Sequence, residues 1–259
     1  MKNEVPDLAH IHSEHIGNFS DKWSSYVSTY QEALEPVRFK IGTVLEIGVQ
    51  NGGSLEIWAK YFTRAGLIVG CDVDPRCSVL AFEDPRIQVI VGDVNQSETY
   101  RKIIGLSESF DLIIDDGSHI SADVIKTFLI YFGYLADGGT YIIEDLVTSY
   151  WPAYNGGLEE PTSSMSFLKK MADVINYEHW RTDTKIRDFF SQALSSVGMK
   201  LPDDFFAGVH SITFMNSLCI IKKAAPEKNL LGQRLVVGNF GPVEPGIAYL
   251  DGTYATDIK

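Results

Sequence analysis

Four short apolar runs, each closing on acids or glycines, constrain this chain more than any other feature. The first is Val44-Leu45-Glu46-Ile47-Gly48-Val49-Gln50-Asn51-Gly52-Gly53-Ser54. The others reach Cys71-Asp72-Val73-Asp74, Asp115-Asp116-Gly117-Ser118-His119 and Tyr141-Ile142-Ile143-Glu144-Asp145. Open α/β sheets bind ligands outside the carboxyl ends of their strands, so carboxylates and glycines recurring there mark a site. Residues 43–48, 67–72, 86–92, 110–115 and 139–144 read as strands, and 54–64, 97–106 and 121–135 as helices. This alternation predicts the α/β class, with a Rossmann-like, doubly wound, mostly parallel sheet and right-handed crossovers.

Beyond Asp145 the alternation stops. Tyr150, Trp151 and Tyr154 lie in an aromatic, glycine-rich stretch just past a strand end, where a loop over the site is expected. Helical patterns follow at about 164–176 and 185–195, and residues 208–214 and 217–223 alternate like strands around Met215-Asn216. That spacing predicts a hairpin, so the sheet should end antiparallel. The predicted organisation is a helical preamble or lid at 1–40, a main domain at 41–224 with a helical insertion at about 150–198, and a tail at 225–259. The tail's weak periodicity predicts partial disorder or a reach across a subunit boundary.

A chain of 259 residues suffices for one large α/β domain. Its 34 Asp+Glu against 22 Lys+Arg leave a net charge of −12, which opposes non-specific binding to nucleic acid or anionic membrane. Cys71, Cys77 and Cys219 have no metal-like spacing, so reduced thiols and a cytoplasmic location are expected. The first residues lack a basic segment followed by an apolar one, and no stretch approaches the ~20 apolar residues of a membrane span. His10, His12 and His15 have no accompanying cysteine or carboxylate framework, and a polar helix face or lid is favoured over a metal cluster.

The glycine loop differs from the dinucleotide fingerprint G-x-G-x-x-G. Aligned on Gly48, its last glycine is met by Gly53, but Gln50 replaces the middle glycine that lets backbone approach a pyrophosphate. Glu46 beside the loop would repel phosphate and suit a cationic ligand, such as S-adenosylmethionine with its sulfonium and ammonium. Asp72 is placed for the ribose hydroxyls, and Asp93 for the adenine amino group. The candidate cofactor residues are Glu46, Gly48, Gly52, Ser54, Asp72, Asp93 and Asp115. Asp116, Glu144 and Asp145 fall at the ends of adjacent predicted strands, and three hard oxygen donors favour Mg²⁺ or Mn²⁺ over zinc. His119, three residues after Asp116, is a competent general base beside such an ion. Turns with solvated acids remain the plain alternative for these runs.

These residues together resemble the class I S-adenosylmethionine-dependent methyltransferases, and within them the metal-dependent sugar O-methyltransferases of the mycinamicin, macrolide and rhamnosyl kind, which are related to proteins labelled cephalosporin hydroxylase. The resemblance covers about residues 18–180 and rests on Ser20-Asp21-Lys22-Trp23, Leu45-Glu46-Ile47-Gly48-Val49, Gly70-Cys71-Asp72-Val73-Asp74-Pro75, Gly92-Asp93, Asp115-Asp116-Gly117-Ser118-His119, and Glu144-Asp145 with Tyr150-Trp151. It implies Asp116 as metal ligand and catalytic residue, His119 as base, and Glu144 and Asp145 completing the metal site. It also implies methyl transfer to a sugar hydroxyl of a glycoside, and self-association as a homodimer or homotetramer. The family's preamble usually reads Gly-Thr-Asp-Lys where this chain has Phe19-Ser20-Asp21-Lys22. The larger members carry a further N-terminal domain, for which 259 residues leave no room. Tyr150, Trp151 and Tyr154 are candidate stacking residues for the acceptor. A catechol-type acceptor, a nicotinamide-linked oxidoreductase and a non-catalytic nucleotide-binding protein are the rival readings.

Overall fold

Apolar runs without alternation need cover on both faces, and this chain supplies it with helices from two sides. The computed structural model describes residues 6–257; residues 1–5 of the preamble and 258–259 of the tail lie outside the described residues. Helices α1 (Leu8–Ser13) and α2 (Ser24–Leu34) come first. Then β1 (Thr43–Ile47), α3 (Gly53–Tyr61), β2 (Leu67–Asp72), β3 (Ile87–Val91), α4 (Ser97–Leu106), β4 (Phe110–Asp115), α5 (Ser121–Tyr131) and β5 (Leu135–Ile143) follow in order. Four short helices come next: α6 (Ser164–Lys169), α7 (Met171–Ile175), α8 (Ile186–Phe189) and α9 (Ser191–Ser196). Strands β6 (Val209–Met215) and β7 (Leu218–Lys223) form the hairpin.

The described residues build one seven-stranded sheet of order β3-β2-β1-β4-β5-β7-β6. The first five strands are parallel, and β7 pairs antiparallel with both β5 and β6. The winding reverses between β1 and β4, which is where a doubly wound sheet opens its ligand crevice. Register brings the strand ends level there, because Ile47 pairs with both Cys71 and Asp115, and Asp115 pairs with Ile143.

Alternate residues of each strand serve opposite faces. Val44, Ile68, Leu112, Ile114 and Ile142 pack with Tyr26, Tyr30, Leu55 and Trp58 from α2 and α3. Leu45, Val69, Ile113, Tyr141 and Ile143 pack instead with Val124 and Phe128 of α5 and Phe167 and Phe190 of the later helices. No helix among the described residues is long and apolar enough to cross a membrane.

The fold class is as the sequence predicts, and several boundaries differ. Helix α5 stops at Tyr131 rather than near residue 135, and β5 begins at Leu135 instead of 139. The cause is a bulge: pairing with β4 jumps from Phe110–Leu135 to Leu112–Thr140, with Gly138 at φ 85°. The two helical patterns after 163 are each broken, at Lys170 and at Phe190. The tail after Ala225 holds short 3₁₀ turns and one isolated bridge, Gln233 to Tyr254. Leu235, Val237, Phe240 and Val243 there are each at least 86% exposed.

The β1–α3 loop touches the loop after β4 through Gly48, at φ 92°, where an added Cβ would lie 1.9 Å from the Asp116 carbonyl oxygen. Both the dihedral and the contact exclude a side chain. Gly48→Ala should therefore cost about 3 kcal/mol or more of folding stability, a loss to be read from urea denaturation.

Candidate active site

At the switch point the strand ends enclose a cavity of about 990 Å³. Its walls are residues 47–51 after β1, 71–74 after β2, 92–95 after β3, 115–119 after β4 and Asp145 after β5, with residues 19–22 of the preamble alongside. Of the residues singled out in the sequence, Gly48, Ser54, Asp72, Asp93, Asp115, Asp116, His119 and Asp145 line it; Glu46, Gly52 and Glu144 do not.

Glu46, expected beside the cofactor, faces away from the cavity. It has the parity of Val44, so its side chain points to the sheet face under α3 rather than past the strand end. It is fully buried there, accepting hydrogen bonds from Ser54 Oγ at 2.8 Å and Trp58 Nε1 at 3.2 Å. Burial pushes its carboxyl up to about 7, against the opposing pull of Lys22. Gly52 also serves packing, since a Cβ there would meet the Phe82 ring at 2.7 Å.

Asp72 organises the glycine loop. Its Oδ2 accepts the Val49 and Gln50 N–H groups at 2.7 and 2.9 Å, and its Oδ1 accepts the Asp74 N–H at 2.9 Å. Gln50, in place of a glycine, adopts φ 50°. Amides turned onto a carboxylate are not offered to a pyrophosphate, which argues against dinucleotide binding. Asp93 Oδ1 caps the next turn by accepting the Asn95 N–H at 2.9 Å.

Beyond β4 and β5 the backbone is tied down and strained together. The Asp116 N–H donates to Ile47 O at 2.8 Å and the Glu144 N–H to Asp115 O at 2.9 Å. His119 and Asp145 take positive φ, 57° and 52°. Left-handed conformations cost a non-glycine residue about 1 kcal/mol, and they cluster at functional sites. Thr148 Oγ1 bridges these two turns, 3.0 Å from His119 O and 2.8 Å from Asp145 O.

Asp116, His119 and Asp145 offer one ligand atom each, all within 4.8 Å of one another. This differs from the expected trio of Asp116, Glu144 and Asp145. Glu144 shares the parity of Ile142 and turns into the sheet face, where its Oε1 accepts from Lys22 Nζ at 2.7 Å and Tyr30 OH at 2.6 Å. Lys22 Nζ also reaches Asp116 Oδ2 at 2.5 Å. Burial alone would lower the Lys22 pKa, but Glu144, Asp116 and Glu46 around it raise it, so the ammonium stays charged. One ammonium serves both the buried Glu144 and the half-buried Asp116. Burial raises Glu144 to about 8, Asp115 to about 7, and Asp116 above its ordinary range. Such a set is short of positive charge, and hard oxygen donors in that state fit a divalent cation.

Sequence reasoning gave Lys22 no role. Its only signal was its place in Ser20-Asp21-Lys22-Trp23, because nothing local points to partners 94 and 122 residues away. Tyr150, Trp151 and Tyr154 do not line the cavity. Tyr150 and Trp151 are 40% and 47% exposed, and Trp151 packs on Tyr154 with ring centroids 5.9 Å apart. The preamble histidines are also outside it; His15 Nε2 contacts Asn18 O at 2.9 Å. All three cysteines are free and buried.

Residues 45–146 match the sequence profile of a family described as a methyltransferase domain. The chain carries a methyltransferase domain. It is 37% identical over 187 residues to the 8-demethyl-8-alpha-L-rhamnosyl tetracenomycin-C 2'-O-methyltransferase of Streptomyces olivaceus, covering 68% of this chain and 48% of that protein. With the mycinamicin VI 2''-O-methyltransferase of Micromonospora griseorubida it shares 34% over 192 residues, 69% of this chain and 46% of the relative. Among solved structures, the MycE methyltransferase from the mycinamycin biosynthetic pathway, in complex with Mg and SAH, superposes with TM-score 0.72 at 26% identity, over 91% of this chain and 59% of that one. This methyltransferase domain therefore has the class I methyltransferase fold, and the chain spans about half the length of the curated relatives it matches.

Glu46 makes stability fall with pH. Its folded pKa, about 7, lies above the ordinary 4.5, so its contribution is complete below about pH 4.5 and is lost as pH rises through 7. Glu46→Gln cannot ionise. The decline in unfolding free energy between pH 5 and 7.5 should shrink in that variant, by at most about 3 kcal/mol, in denaturation series across pH.

Proposed function

We propose that this chain is an S-adenosylmethionine-dependent, Mg²⁺-dependent O-methyltransferase acting on a sugar hydroxyl of a glycoside, in natural-product or polysaccharide tailoring. The observation that carries the reading is a single cavity joining Asp72 and Asp93 to the cluster of Asp116, His119 and Asp145, in a chain similar to named antibiotic O-methyltransferases. The presence of Mg and SAH in the similar MycE structure supports both ligands.

Gly48, Ser54, Asp72, Asp93 and Asp115 would hold the nucleoside end. Asp116 and Asp145 would hold the ion through their cavity-facing oxygens, while Glu144 adds charge from behind them. When bound, the ion acidifies and orients neighbouring hydroxyls. His119 Nε2, 3.9 Å from Asp116 Oδ1 and 3.7 Å from Asp145 Oδ2, would take the proton that the acceptor oxygen loses as it gains the methyl group. Those same distances favour a second role for His119 as a third ligand. Tyr150, Trp151 and Tyr154 would stack on sugar or aglycone.

The domain limits we propose are a preamble at 1–40, a methyltransferase domain at 41–224 with its insertion at about 150–198, and a tail at 225–259. The exposed apolar side chains of the tail support a homodimer or homotetramer. The free cysteines support a cytoplasmic location.

Calorimetric titration with S-adenosylhomocysteine should show micromolar binding, and NAD should show none. Binding of NAD alone would overturn the reading. With a vicinal-diol glycoside, His119→Ala should lose roughly 10²–10⁴-fold in turnover while cofactor binding survives, and Asp116→Asn or chelation should abolish activity. Loss of metal binding in His119→Ala would assign it as a ligand instead of a base.

A further inference from the structure

The proposed metal cluster uses one oxygen of each carboxylate, and a single stretch of the preamble holds the other. Asp116 Oδ1 and Asp145 Oδ2 face His119. Asp116 Oδ2 is taken by Lys22 Nζ at 2.5 Å. Asp145 Oδ1 accepts from Trp23 Nε1 at 3.0 Å and lies 2.9 Å from Tyr26 OH, which in turn accepts the Asp145 N–H at 3.1 Å. One turn further along α2, Tyr30 OH fixes Glu144. Four side chains within nine residues thus grip three acids that lie more than 90 residues away.

The same stretch is anchored on its other side. The Asn18 N–H donates to Glu56 Oε2 of α3 at 2.8 Å, and the backbone there passes so close to Gly53 that a Cβ would sit 2.3 Å from Asn18 O. Between these anchors, Phe19, Ser20 and Asp21 line the cavity. Ligating carboxylates need partners that fix their rotamers, and loss of such a partner typically weakens a metal roughly 10–100-fold.

We propose that Lys22, Trp23 and Tyr26 are positioning residues of the metal site, Lys22 foremost, so that ion affinity depends on the preamble being seated over the cofactor cavity. The inference rests on the metal reading above. By linkage, the ion must stabilise that seating by the same factor that seating strengthens the ion. A lysine beside a cation site has an opposite rival role, as a tethered competitor. The sign of one substitution separates them. Removing a competitor tightens ion binding; removing a positioning group loosens it.

The test is calorimetric titration of the full chain with Mn²⁺, for wild type, Lys22→Met and Trp23→Phe, with hydrogen exchange over residues 18–26 in the presence and absence of the ion. Lys22→Met should weaken Mn²⁺ about 10-fold or more. Trp23→Phe, at a residue 63% exposed and so tolerant of change, should weaken it about threefold. The ion should slow exchange at 18–26 in wild type and not in Lys22→Met. Tighter binding in Lys22→Met, or unchanged affinity in both variants, would overturn this inference alone. Absence of Mn²⁺ binding to wild type would overturn the metal reading and this inference with it.

Discussion

A shortage of positive charge at the sheet's carboxyl edge is the constraint on which the rest of this structure depends. Glu46 and Glu144 are buried and Asp116 is half-buried around one ammonium, and Asp145 stands beside them. Buried carboxylates without partners are costly. The fold meets the cost by bringing Lys22 from a segment that precedes the first strand, which makes the preamble part of the site rather than a leader to it. Aromatic packing then holds that segment in place. Tyr30 packs at a tilt on Trp58 with ring centroids 5.1 Å apart, and both reach carboxylates through their polar ends.

Strand parity explains which acids reach the cavity. Glu46 and Glu144 lie on the face covered by α2 and α3, and there they accept from Ser54, Trp58, Lys22 and Tyr30. Asp72, Asp116 and Asp145 stand at or past the last strand residue, free of the pleat, and they line the crevice. The sheet and its switch point were legible because buried parallel strands leave near-continuous apolar runs. β2 at 67–72, α4 at 97–106 and β4 at 110–115 begin and end where the pattern does. The face of a single acid was not legible, because a shift of one residue in a strand end reverses it.

Long-range polar partners were equally invisible. Lys22 carries no periodicity and no spacing to its acids, and the family resemblance marked its segment without assigning it work. Bulging of residues 136–139 hid the start of β5, since Asp137, Gly138 and Gly139 read as a turn. Past Asp145 the helices are four to six residues long, too short to display a period, and tertiary packing of Phe167, Phe190 and Phe206 fixes them instead.

The cavity and the acid cluster are not independent features that happen to adjoin. Asp115 and Asp116 are consecutive: the first is buried with its carboxyl raised to about 7, the second is shared between Lys22 and the cluster. Gly48 lets the β1 loop rest against the Asp116 carbonyl, and Asp72 holds that same loop by two amides. Any shift of the β1–α3 loop is therefore felt at Asp116 through backbone contact, without a side-chain relay. Gln50, His119 and Asp145, all with positive φ, sit at the three turns so joined, each held by neighbours that over-determine it. The left-handed turns at His119 and Asp145 help set where the cavity-facing oxygens and the imidazole converge, and they persist because the loops brace one another.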